Sequence, residues 1–332
     1  MKAVAAQNGE INITEIAPPD LAPGMVKIKT QYSAISPGTE LTMLRNSKER
    51  ASYLGYSASG IVLEIGDGVE HLQPGDAVAV YGGPYVRHAQ QLAVSRNLAV
   101  KLPAHVSLQD AAAVGLGAIA AQALRKAEIS FGETVAVVGL GILGQITARM
   151  AFAAGCNVLA CDLLSMRCET ARSIQGIQAF ENWQGLEQAA DESTRRRGVD
   201  AVLLCAGGQH GELIDQALDL LRMGGKVIVV GDLPLTLSRK KMFAKEASLI
   251  VSRAGGPGRY DALYEQQSID YPAGFVRWTE GRNMEAYVDL LASGRLRVDD
   301  LFRDKVALED AAQAYARYIN SPTQIMGTLI EY

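Results

Sequence analysis

The run TVAVVGLGILGQITARMAFAAG, residues 134–155, constrains this chain more than any other. An apolar stretch with strand character ends in Gly139-x-Gly141-x-x-Gly144, and a helical pattern opens with Ile142 and Leu143. The first glycine permits a tight turn, the second admits a pyrophosphate close to backbone, and the third lets helix pack on strand. The helix start then offers free N–H groups and a positive dipole end to the phosphates. A lone motif of this kind is weak. Here a strand precedes it, a helix follows, and the next strand-like run, NVLACD, ends in Asp162, 23 residues past Gly139. A carboxylate at that place accepts hydrogen bonds from ribose hydroxyls, so a dinucleotide site is expected. Asp162 repels a 2′-phosphate and favours NAD. Arg167 either faces solvent or swings towards the adenosine, which leaves NADP open. Ala206-Gly207-Gly208 closes a later strand at the carboxyl edge that faces ligands in a doubly wound sheet. Ala206 and Gly207 are expected beside the nicotinamide ribose, with Gly231 a weaker candidate. Gly224-Gly225 reads as a helix stop.

The remaining pattern falls into three zones. Residues 1–106 carry short alternating runs (MVKIKTQYSAI, GIVLEIG, DAVAVYG, QLAVS) separated by turn signals such as Pro23-Gly24, which predicts a β-rich, barrel-like domain. In residues 107–254 helical stretches alternate with apolar strands, which predicts a parallel sheet covered on both faces. Residues 255–332 are mixed, with two amphipathic helices and a closing strand, MGTLIEY. The expected class is therefore α/β, a β-rich domain plus a doubly wound Rossmann-type sheet.

Composition removes several alternatives. Net charge is -4, and the longest basic run, Arg195-Arg196-Arg197, lies beside Asp191 and Glu192; no nucleic-acid footprint is present. No stretch of about 18 apolar residues occurs, so no membrane span is expected. The N-terminus has no apolar signal region, which points to the cytoplasm. Cys156, Cys161, Cys168 and Cys205 form no CxxC pair and read as buried small hydrophobes. The four histidines never stand at metal-ligand spacing.

The order of a β-rich half, the junction AAAVGLGAIAAQALRKAEISFGETVAVVGLGILG, a dinucleotide fold and a return resembles the medium-chain dehydrogenase/reductase superfamily over essentially the whole chain. That resemblance implies a GroES-like catalytic domain, an active site in the interdomain cleft, and a homodimer paired through the strand ASLIVSRA. The chain departs from the zinc-dependent alcohol dehydrogenase branch. Where that branch has Cys-Gly-Thr-Asp, this chain has Pro37-Gly38-Thr39-Glu40, and where it has Gly-His-Glu, this chain has Gly55-Tyr56-Ser57. The four-cysteine lobe is skipped. Proline and tyrosine cannot replace those ligands, so no zinc and no other metal is expected. The segments ISPGTE, YLGYSASGIVLEIG and RYDALYEQQSIDYPAGFVRWTEGRNME are similar to the N-terminal unit of bacterial bi-domain oxidoreductases.

Interconverting an alcohol and a ketone needs a group that moves the hydroxyl proton and stabilises the developing alkoxide. The resemblance makes Thr39 the first candidate; the alternative is a hydroxyl capping the following helix. Tyr56 either points its phenol at the substrate oxygen or is a half-buried strand tyrosine. Glu40 is a candidate to hydrogen-bond a sugar hydroxyl or to orient Thr39, and His88 a candidate relay, against a plain core or surface histidine. Tyr260, Arg277, Trp278 and Arg282 combine rings that stack on sugars with guanidinium forks that grip anions; the alternative is packing of the returning chain. The expectation is a zinc-independent NAD(P)-dependent oxidoreductase acting on a polar, sugar-like secondary alcohol or ketone. A quinone or enone reductase, and a non-catalytic dinucleotide sensor or partner protein, stand beside it.

Overall fold

The structure, a computed structural model, describes residues 1–321 and 323–332. The chain divides into two compact units, Met1–Ala118 with Gly255–Tyr332, and Ile119–Ala254. Along the chain the strands are β1 (Lys2–Gln7), β2 (Glu10–Glu15), β3 (Met25–Ala34), β4 (Ser52–Tyr53), β5 (Ser57–Ile65), β6 (Ala77–Tyr81), β7 (Gln91–Ser95) and β8 (Ala99–Lys101) in the first unit. The second unit holds β9 (Thr134–Val138), β10 (Asn157–Cys161), β11 (Ile177–Phe180), β12 (Val199–Leu204), β13 (Leu221–Val229) and β14 (Ser248–Val251). The first unit then resumes with β15 (Asp304–Ala307) and β16 (Thr328–Glu331).

In the first unit the main sheet runs β15-β16-β3-β5-β6-β8, with β7 paired to β3. Its centre is β3, where Val26 and Ile28 are buried and Lys27 and Lys29 point away, the two-residue alternation of a strand with one face on a core. Val62, Val78, Val80 and Leu92 complete that core. β16 pairs antiparallel with β3 through Leu329, Ile330 and Glu331, so the segment after the second unit returns to the sheet that β3 began. Immediately after β3 the helix Pro37–Arg45 begins, with proline at its first turn and Ser36 as N-cap. Proline fits there because its missing N–H has no intrahelical partner to lose.

The second unit is a six-stranded sheet, β11-β10-β9-β12-β13-β14, and every adjacent pair is parallel. In chain order this is 3-2-1-4-5-6, the doubly wound order whose topological switch point falls at the first strand. β9 is buried at all five residues, as a strand covered on both faces must be. One expectation fails locally. Gly224-Gly225 does not stop a helix: the helix Glu212–Leu220 ends before Leu221, and β13 starts there. Buried Leu220 and Leu221 carry the chain straight into the sheet. Gly224, at φ 71°, lies between the pairs Val199–Leu221 and Ala201–Lys226, where the register shifts. A left-handed glycine suits such a bulge.

Candidate active site

In the second unit the phosphate loop has the required geometry at each glycine. Gly139 leaves β9 at φ 89°, and a Cβ there would lie 2.5 Å from the Ala206 amide nitrogen. Gly141 is the N-cap of the helix Ile142–Ala153 with no side-chain cap, so the first-turn amides of that helix have no side-chain acceptor. A Cβ on Gly144 would overlap the Gly139 carbonyl, which is why helix and turn pack so closely. Ala206, Gly207 and Gly231 gather at the carboxyl ends of β12 and β13, where Ala206 N–H donates to Val138 O at 3.0 Å and a Cβ on Gly231 would overlap the Ala206 carbonyl.

Asp162 follows β10 and is nearly buried. Its Oδ2 accepts the Leu140 amide at 2.7 Å and its Oδ1 the Leu164 amide at 2.9 Å. Arg167 donates to Oδ2 at 3.2 Å, and its guanidinium is the nearest group to Gly141. The arginine is thus neither a plain solvent-facing residue nor free of the carboxylate. Gln145, fully buried, donates to Leu140 O and Arg167 O at 3.2 and 2.7 Å, tying the phosphate loop to the Arg167 segment. The motif gave no hint of this glutamine, whose type is ordinary for a helix.

In the first unit three hydroxyls converge. Tyr56 donates to Ser36 Oγ at 2.6 Å, and Thr39 is also a hydrogen-bond partner of the phenol. Burial is the main cause that pushes the Tyr56 pKa well above the usual phenol range, and the nearby Glu40 charge adds to it against the two hydroxyl hydrogen bonds. The phenol is therefore held protonated, a donor near neutral pH. Thr39 is exposed and lies inside the first turn of its helix; the N-cap is Ser36, so Thr39 does not cap. Ser36 was not among the residues expected from the sequence, although a serine before proline at a helix start is a recognisable signal.

Glu40 and His88 lie behind the hydroxyls. Both are without solvent exposure. His88 Nε2 lies 3.0 Å from Glu40 Oε2, and its Nδ1 lies 2.7 Å from Ser33 Oγ. Tyr315 also donates to Glu40 Oε2, while Glu40 Oε1 accepts the Ser36 amide at 2.8 Å.

The tail segment divides as well. Tyr260 is 59% exposed and has φ 64°, a left-handed backbone that bulky residues adopt at a cost of order 1–3 kcal/mol. The Arg259 guanidinium stacks 4.0 Å from the Tyr260 ring and 5.9 Å from the Tyr81 ring. That guanidinium is fixed by Glu265 and by Gly83 O at 2.6 Å. Tyr81 meets Tyr56 edge to face with ring centroids 5.9 Å apart, and Tyr260 contributes electrostatically to both phenols. The structure thus brings Thr39, Tyr56 and Tyr260 together and adds Ser36, Tyr81 and Arg259. Arg282 instead donates to Asp270, to Val276 O at 2.6 Å and to Tyr271 O at 2.9 Å, fastening its own loop. Arg277 stacks 3.8 Å over the ring of its neighbour Trp278.

The donor set does not fit zinc. The positions of interest hold Pro37 and Tyr56, and both ring nitrogens of His88 are engaged. Among the described residues no group of three or more His, Cys, Asp or Glu is placed to hold a metal. The four cysteines all belong to the second unit. Burial pushes Cys156 up to about 11 and Cys161 and Cys205 up to about 12, so these thiols are held protonated. Among the described residues no helix is long and apolar enough to cross a membrane.

Comparison with known proteins agrees with this architecture. Residues 22–129 match the alcohol dehydrogenase GroES-like domain and residues 143–268 match the zinc-binding dehydrogenase family. A putative D-xylulose reductase of Rhizobium meliloti (strain 1021) is 27% identical over 82% of this chain and 80% of its own length. D-guloside 3-dehydrogenase of Escherichia coli (strain K12) is 28% identical over 80% of this chain and 73% of its own length. The crystal structure of galactitol-1-phosphate dehydrogenase from Escherichia coli superposes with a TM-score of 0.81 at 21% identity, covering 100% of both chains. The chain belongs to the medium-chain dehydrogenase/reductase superfamily of oxidoreductases, combining a GroES-like domain with a Rossmann-type parallel sheet.

Proposed function

We propose that this protein is an NAD(P)-dependent oxidoreductase that interconverts a secondary alcohol and a ketone on a polar, sugar-like substrate, with Tyr56 moving the proton where zinc serves elsewhere in the superfamily. The observation that carries the reading is the hydroxyl cluster itself: a protonated phenol on Ser36, beside the exposed Thr39 hydroxyl. Ser36 and Thr39 hold the phenol oxygen in place, and its one O–H turns from Ser36 Oγ to the substrate oxygen as charge develops there. When bound, the dinucleotide supplies the hydride. Gly139, Gly141 and Gly144, with the amides of Ile142 and Leu143, hold its pyrophosphate, and Asp162 and Arg167 the adenosine side. Ala206, Gly207 and Gly231 leave the adjoining backbone open. Asp162 favours NAD, since one Oδ1 lone pair remains for a ribose hydroxyl after its two amides and Arg167 are served. The exposed Tyr260 ring suits the C–H face of a sugar, a class supported by relatives named for xylulose and guloside.

The test is stopped-flow mixing of the protein with NADH or NADPH and a panel of keto-sugars and enones. Transfer to keto-sugars, faster from NADH, is the expected result. Transfer to enones alone would make it a quinone or enone reductase, and tight NADH binding without transfer to any panel member would make it a sensor.

The protein is further expected to pair with a second copy. β14 ends the sheet, so one of its edges has unpaired backbone. Beside it Phe243 and Met223 are 77% and 62% exposed around an open groove of about 680 Å³. Light scattering should give twice the 35.5 kDa chain mass; the chain mass itself would refute the pairing.

A further inference from the structure

Two buried groups that looked catalytic in the sequence stand behind the hydroxyls. Glu40 uses one carboxylate oxygen for the Ser36 amide at 2.8 Å and the other for His88 at 3.0 Å and for Tyr315. Ser36 in turn receives the Tyr56 proton at 2.6 Å. On the far side Ser33 Oγ joins His88 at 2.7 Å to the Tyr332 hydroxyl at 2.8 Å. The imidazole also lies directly against Gly55, the residue before Tyr56: a Cβ on Gly55 would sit 2.8 Å from its Nδ1. His88 N–H donates to Leu54 O at 2.7 Å. The cluster therefore grips both backbone segments that carry the hydroxyl pair.

We propose that Glu40, His88 and Tyr315 form a positioning device that fixes the orientation of the Ser36–Tyr56 hydroxyl pair. None of the three touches substrate. A carboxyl group buried this completely is expensive unless its oxygens are served, and here both are, by the nearby Ser36 amide and by His88 and Tyr315 from distant parts of the chain. Its hold on the Ser36 amide fixes where the acceptor of the Tyr56 proton stands. The inference rests on the catalytic reading of Tyr56.

The test is independent of substrate. Tyr56 is replaced by 3,5-difluorotyrosine, whose phenol ionises well below that of tyrosine, and its fluorine spectrum and ultraviolet titration are followed. Groups facing this phenol are Glu40, Thr39 and Ser36 from the helix start, Tyr81 from β6, and Tyr260 from the tail loop, with Arg259 stacked on the last two. Glu40 raises the Tyr56 pKa, so Glu40→Gln should move the titration midpoint to lower pH, by on the order of one unit. Tyr315→Phe, which keeps the ring in its core, should displace or broaden the fluorine resonance. Circular dichroism establishes that each variant is folded. A midpoint and a resonance unchanged in folded Glu40→Gln and Tyr315→Phe would overturn the proposal. A moved phenol in a protein inert towards the whole substrate panel would leave the positioning intact and sink the catalytic reading instead.

Discussion

Replacing Tyr56 by phenylalanine is expected to lower the single-turnover rate of hydride transfer by roughly 10²–10⁴-fold, with dinucleotide binding unchanged. The substitution removes one oxygen and keeps the ring, so the edge-to-face contact with Tyr81 survives. What is lost is the donor to Ser36 Oγ, and with it the proton for the substrate oxygen. Dinucleotide binding stays because the glycine loop and Asp162 belong to the other unit. Thr39→Ala should cost less, since Thr39 supports the phenol while Ser36 remains to hold it. Single-turnover stopped-flow with dinucleotide titrated separately checks both. If Tyr56→Phe transfers hydride as fast as the parent, the phenol is not the proton donor.

Glu280→Gln is expected to stabilise the protein, and increasingly so as pH rises. Glu280 opens the helix Glu280–Ala292 and is fully buried beside the carboxyl group of Glu265. Burial, with the charge of neighbouring Glu265 and against the pull of Arg259, raises its pKa from 4.5 to about 9. The folded state therefore holds a proton that the unfolded chain releases above pH 4.5. Stability from this group is complete below that pH, falls as pH rises, and reaches its minimum once the folded acid ionises near 9. At pH 7 the loss is about 3 kcal/mol. Glutamine has the same shape and no proton to lose. Urea denaturation from pH 5 to 9 should show parent and variant close together at the acid end and diverging steadily above it. Parallel curves would contradict the assignment of Glu280 as a neutral acid.

Local pattern carried the fold. The alternation of β3, the apolar runs of β9, β10 and β12, and the glycine spacing after β9 are all decided by neighbours in sequence, and each is where the pattern puts it. Gly224 is the instructive exception. Whether a glycine ends a helix or bends a strand depends on where Leu221 pairs, which is a tertiary matter.

The site was legible only as far as it is local. Thr39 and Tyr56 stand in short motifs, and they meet. His88 and Glu40 were found as residues, but their burial was not legible, because it is set by elements far along the chain: Tyr315 reaches Glu40 across 275 residues. Glu280 reads as an acid at a helix start, ordinarily a solvated group that favours the dipole. Only its burial, beside Glu265 and against the charge of Arg259, makes it a neutral acid. Arg282 looked like an anion fork, and three of its contacts go to its own loop, which no local pattern announces.

The central claim is proton transfer by Tyr56 without a metal. Its most direct test is the stopped-flow transfer from NADH to the best keto-sugar of the panel, on protein dialysed against a chelator and assayed for zinc. The account predicts far less than one zinc per chain and an undiminished transfer amplitude. Transfer that vanishes on chelation and returns with one equivalent of zinc would contradict it.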